Sequence, residues 1–148
     1  MRIDYIRPDA VAYVSGKGSY LKAVGTVKFY QKRGGVLVAA DVSGLPQENT
    51  SGFFGFHIHE GSSCGGEKFS ETLNHYNPQN TEHPMHAGDL PPLLSAGGTA
   101  FMSFFTNRFT VREILGKTVV IHNSYDDFKT QPSGNAGEKI ACGIINIL

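Results

Sequence analysis

The sequence predicts an all-β fold, a barrel or sandwich of about eight antiparallel strands in one domain over residues 1–148. Three observations predict it. Short runs of alternating apolar and polar residues recur along the chain. The stretches between them are rich in glycine and proline, the residues that turn a chain. Only one segment carries a helix signal.

Val11 to Val14 reads as the first strand. Ala23 to Tyr30 alternates next, with Val27 and Phe29 on one face and Thr26 and Lys28 on the other. Val36, Val38, Ala40 and Val42 mark its partner, and the polar stretch Gln31 to Gly35 joins the two as a hairpin. Phe53 to His59 is a further strand, with Phe54, Phe56 and Ile58 opposite Phe53, His57 and His59. Thr99 to Thr106, Lys117 to His122 and Lys139 to Ile147 complete the set. The helix signal lies at Thr110-Val111-Arg112-Glu113. There a Thr hydroxyl and a Glu carboxylate can satisfy free backbone donors, while Phe109 and Ile114 staple the entry. Gly116 is expected to end this helix after about two turns.

Residues 60–98 have weak periodicity and are rich in Gly, Ser, Asn, His and Pro. A connection this long in a compact domain is usually functional or disordered. Composition narrows the partners. Thirteen basic and 13 acidic residues leave no net charge, which argues against nucleic acid or an anionic membrane as a bulk electrostatic partner. No stretch approaches a membrane span, and Met1 to Gly16 lacks the pattern of a secretory leader, so a cytoplasmic location is expected. Two cysteines, Cys64 and Cys142, permit one disulfide or two free thiols.

The histidines are concentrated. None precedes position 57, and five of the six fall between 57 and 86. On a strand, residues i and i+2 share a face, so His57 and His59 can converge on a cation or face solvent together. The long connection adds His75, His83, His86 and Asp89, spaced His-x7-His-x2-His-x2-Asp. Three imidazoles and a carboxylate can close a tetrahedral zinc site; a solvated polar loop is the other reading. His122 ends the apolar run Val119-Val120-Ile121, where a core histidine and a ligand are both expected. Strand-end and loop imidazoles also suit Cu(II). Spacing leads to a metal site and does not select a reaction.

The motifs closely resemble the copper/zinc superoxide dismutases. The similarity runs through Val24 to Phe29, Gly44-Leu45-Pro46 and Gly55-Phe56-His57-Ile58-His59-Glu60-Gly61. It continues at His75-Tyr76-Asn77-Pro78, His86-Ala87-Gly88-Asp89-Leu90-Pro91, Val120-Ile121-His122 and Asp126-Asp127. It ends with Ser133 to Gly137 and Ala141-Cys142-Gly143-Ile144-Ile145. Each fragment is short, but their order is specific, and the compact loops resemble the bacterial type.

The resemblance implies a Greek-key β-barrel or sandwich with long metal-binding loops, and dismutation of superoxide to dioxygen and hydrogen peroxide by Cu(II)/Cu(I) cycling. It implies copper ligands His57, His59, His75 and His122, and zinc ligands His75, His83, His86 and Asp89, with His75 bridging the two. It also implies that Asp126 links ligand imidazoles of the two sites, and that Cys64 and Cys142 are bonded. The partner is then the superoxide anion, with a homodimer left open. A protein of the same fold that buffers or delivers metal with little turnover is the alternative.

Three positions depart from the family pattern. Lys139 stands where relatives carry Arg, three residues before the second Cys. It is expected to guide the anion, as a point charge and not a planar fork. The gap His83-Pro84-Met85-His86 is short, with a restricted backbone at Pro84. Leu73-Asn74 precedes His75 where relatives have glycines.

Overall fold

A computed structural model describes residues 7–148. The first six residues, on which the expectation about a leader partly falls, lie outside that range. The described chain forms nine strands: β1 (Ala10–Gly16), β2 (Val24–Lys32), β3 (Gly35–Ser43), β4 (Phe53–Phe54), β5 (Phe56–His59), β6 (Leu93–Leu94), β7 (Ala100–Thr106), β8 (Thr118–His122) and β9 (Lys139–Ile147). Seven of them make one antiparallel sheet in the order β5-β8-β9-β1-β2-β3-β7. The remaining pair, β4 and β6, forms a short ribbon. β4 runs into β5 and β6 leads to β7, so the ribbon joins the two edges of the curled sheet and closes it as a barrel.

Alternation decides which residues enter the barrel. Val27, Phe29, Val36, Val38, Ala40 and Val42 are buried in the main cluster with Phe54, Phe56, Ile58, Val119 and Ile121. Tyr30, Leu37 and Ala39 form a small second cluster. Burying such side chains contributes about 1.5–3 kcal/mol each.

The strand expected over Phe53 to His59 breaks at Gly55. Its amide donates to Ser124 O at 2.8 Å and its carbonyl accepts from His122 N at 2.8 Å. A Cβ at this position would lie 2.7 Å from the Ala136 Cβ, so only glycine allows this approach. The Gln31 to Gly35 turn is tighter than expected, because Gln31, Lys32 and Gly35 already pair within the hairpin. The helix is shorter than expected. α1 (Val111–Ile114) has the anticipated capping box at Thr110 and Glu113, with Phe109 and Ile114 both buried, but it makes a single turn. Leu115 is extended, and Gly116 N donates to Ile145 O at 2.8 Å, so pairing with β9 draws the chain out of the helix. Strand β6 and the 3-10 turns at Gly18–Tyr20 and Glu67–Thr72 carry no helical or alternating signal and were not expected.

Candidate metal centre

The centre is built on the outer face of β5 and β8. Phe56 and Ile58 point into the barrel, so His57 and His59 point out, opposite Val120 and Thr118. His122 shares that face two residues beyond Val120. A β-bulge then matters. Ile121 pairs with Ala141 but His122 pairs with Lys139, so Ile140 is the extra residue. Bulges re-aim side chains, and this one sets Lys139 opposite His122 while Ile140 stays in the core.

Edge strand β5 is covered by the long connection. Tyr76 N donates to Ile58 O, Ile58 N to Gly88 O and Glu60 N to Asn74 O, each at 2.8 Å. These bonds lay His75 beside His59 and Asp89 beside His57. All six histidines, Asp89 and Asp126 are consequently buried.

Two four-donor sets each have all atoms within 4.8 Å of one another, His57, His59, His75 and His122, and His75, His83, His86 and Asp89; His57, His83 and Asp126 make a third, smaller group. Second contacts fix which nitrogen faces inward. His59 Nδ1 donates to Leu73 O at 2.9 Å and His122 Nδ1 to Gly137 O at 3.1 Å, leaving both Nε2 atoms as lone pairs. Those two Nε2 atoms confront each other at 3.3 Å. Burial holds His59 well below its ordinary pKa, and burial with the neighbouring His57 brings His122 to about 3. Neither ring supplies a proton between them near neutral pH, and a shared cation resolves the repulsion. His57 Nδ1 and His75 Nε2 are buried without a hydrogen-bond partner on the same side. The first set therefore fits a metal that takes four imidazoles.

The second set is also closed. Asp89 lies 2.8 Å from His75 Nδ1, 3.1 Å from His83 Nδ1 and 3.2 Å from His86 Nδ1. His86 and His75 bring their Nδ1 atoms to 3.3 Å. Burial raises the Asp89 carboxyl, but the hydrogen bond from His75 and the charge of the surrounding imidazoles outweigh it and hold it low. Three nitrogens and a carboxylate around one point suit zinc with no open position. The short His83-to-His86 gap still brings both imidazoles to Asp89, and its His83–Pro84 peptide is cis.

Asp126 ties the sets together. Its Oδ2 accepts from His57 Nε2 at 2.8 Å and its Oδ1 from His83 Nε2 at 2.7 Å. Burial raises its pKa, but those two bonds and the Phe128 amide override it, and the carboxylate sits far below its usual range. Burial brings His57 to about 4 despite Asp126. The bridge needs Gly134, where a Cβ would stand 2.0 Å from Asp126 Oδ1 and 2.6 Å from His83 Nε2.

Lys139 borders an open depression of about 490 Å³ that it shares with His59, His75 and His122. Its Nζ donates to Thr72 Oγ1 at 2.8 Å and Leu73 O at 3.2 Å, and burial lowers its pKa. Leu73 adopts φ 60° and ψ −140°, a conformation that disfavours side chains, and its carbonyl also serves His59. Cys64 and Cys142 form a disulfide, which anchors the connection to β9. The six histidines, Asp89, Asp126 and Lys139 thus lie in or beside one centre. Thr72, which holds Lys139, went unnoticed because nothing local marks it.

The sequence pattern of the copper/zinc superoxide dismutases (SODC) matches residues 23–145. This chain belongs to the copper/zinc superoxide dismutase family. The superoxide dismutase [Cu-Zn] of Legionella pneumophila is 33% identical over 148 aligned positions, covering 95% of this chain and 88% of the relative. That of Photobacterium leiognathi is 34% identical, covering 84% of this chain and 79% of its own length. Superoxide dismutase [Cu-Zn] A of Xenopus laevis is 34% identical, covering 92% and 95%. Copper and zinc are the metals of the family, and the two donor sets suit them.

Proposed function

We propose that this chain converts superoxide to dioxygen and hydrogen peroxide. His57, His59, His75 and His122 hold copper, and His75, His83, His86 and Asp89 hold zinc. One observation carries the reading: the two nitrogens of His75 face different donor sets, Nδ1 toward Asp89 and Nε2 unpartnered beside His57, His59 and His122. Copper supplies one-electron chemistry as Cu(II)/Cu(I), whereas zinc has no redox activity and supplies charge and rigidity.

The chain does the rest. Asp126, Leu73 O and Gly137 O fix the orientations of the His57, His59 and His122 rings, so these three would present their free nitrogens to copper already oriented. His75 Nε2 lies where it can hold a proton in the reduced half of the cycle and release it to the anion being reduced. Lys139 places a cation at the rim of the depression, where it attracts and orients a small anion. With no net charge on the chain, attraction of the anion is local to this rim, and bulk electrostatics does not favour nucleic acid or an anionic membrane as a partner.

Chelating both metals and restoring them separately tests the proposal. Copper alone restores superoxide loss, zinc alone does not, and both together give the more durable activity. Full activity from zinc alone contradicts it.

A further inference from the structure

The segment from His83 to Asp89 carries three donors of the second set in seven residues and has no regular secondary structure. Two side chains from elsewhere hold its backbone. The Gln131 carboxamide accepts from His83 N at 2.9 Å and donates to His83 O at 2.7 Å, so it pairs with that residue as a neighbouring strand would. Its amide nitrogen also donates to Lys129 O at 3.2 Å. On the far side of the segment, Arg108 Nη1 donates to Pro84 O at 2.8 Å, His86 O at 3.2 Å and Asp89 O at 3.4 Å. One guanidinium nitrogen thus gathers three carbonyls of the segment, one of which, His86 O, also accepts from Asp89 N at 3.1 Å.

We propose that Gln131 and Arg108 are positioning residues that hold the His83–Asp89 segment in its zinc-binding shape, a role that rests on the reading of this set as the zinc site. Each contacts the backbone of ligand residues and none of the donor atoms. Gln131 fixes the entry at His83. Arg108 fixes the remainder, at His86 and Asp89. Pro84 has no amide, so the only backbone group it can offer is the carbonyl that Arg108 takes. Both side chains lie at the surface, so truncating them leaves the barrel core intact. Outer contacts of this kind change metal affinity by about 10–100-fold.

The test is metal affinity in the full-length metal-free protein, with Gln131→Ala, Gln131→Glu, Arg108→Ala and Arg108→Lys. Co(II) titration followed by its visible absorption reads the zinc set, and competition with a chelator reads Zn(II) and copper affinities. Gln131→Ala and Arg108→Ala are expected to weaken Co(II) and Zn(II) by about tenfold or more, with copper affinity little changed. Gln131→Glu, which sets a carboxylate against His83 O, behaves like the alanine variant, and Arg108→Lys recovers part of the loss. Unchanged Zn(II) affinity in both alanine variants overturns the proposal, as does an equal loss at both metals, which marks general destabilisation. If the unsubstituted protein gives no tetrahedral Co(II) spectrum, the zinc reading itself fails.

Discussion

The carboxylate of Asp126 accepts from His57 in one donor set and from His83 in the other, so changing it releases a ring of each set at once. Asp126→Asn is expected to lower zinc and copper affinity by about 10–100-fold, measured by chelator competition, because an amide can accept from only one of the two rings. The role proposed for Lys139 acts at longer range. Lys139→Ala is expected to cut kcat/KM about tenfold at low salt and to flatten its dependence on ionic strength, while Lys139→Arg keeps or raises the rate. Equal rates for all three proteins contradict a guiding role. The clustered donor residues were legible because their chemistry is local: His-x-His on an alternating strand states its own geometry, and the loop set states its spacing. Thr72, Gln131 and Arg108 were not legible, since each acts on a residue far along the chain and no pattern in its neighbourhood marks it.

At the scale of elements, the centre depends on a bulge and a cross-link. The extra residue Ile140 is apolar and buried, so it reads in sequence as ordinary strand, yet it sets Lys139 opposite His122. Such a register shift depends on β8, which periodicity in β9 alone does not record. The capping box of α1 was legible because it spans four residues, and the helix length was not, because β9 ends it. The disulfide joins residues 78 apart and fastens the loop that carries Thr72 and Leu73 to the strand that carries Lys139. Replacing both cysteines by serine is expected to lower stability by about 4–5 kcal/mol in the chain-entropy treatment. The loss is read by urea unfolding, together with a fall in kcat/KM larger than the fall in bound copper. Unfolding midpoints that match the native protein contradict it.

For the whole molecule, the shifted ionisable side chains buried at one centre make stability depend on pH and on metal. His57 and His122 titrate near 4 and 3 in the folded chain against an ordinary 6.5. The unfolded chain therefore binds more protons between those values, and the metal-free protein loses stability as pH falls from about 6.5 toward 4 and below. Asp89 and Asp126 titrate below the ordinary 3.8, so their contribution is present above that value and is lost further down, in the same direction. Urea unfolding of the metal-free protein is expected to show this decline, and a flat profile from pH 7 to 4 contradicts it. Metal binding opposes the decline until protons compete for the imidazoles. The barrel was legible in outline from alternation, while its closure by β4 and β6 was not, because two-residue strands carry no period. The chain has no net charge, so the proposed attraction of an anion rests on the depression beside Lys139. Pulse radiolysis of the protein loaded with copper and zinc tests the central claim most directly. Superoxide should decay in proportion to loaded protein, far faster than its spontaneous loss, with a rate that falls as salt rises and vanishes in a zinc-only sample. Tight copper binding with no acceleration over spontaneous decay would contradict the account.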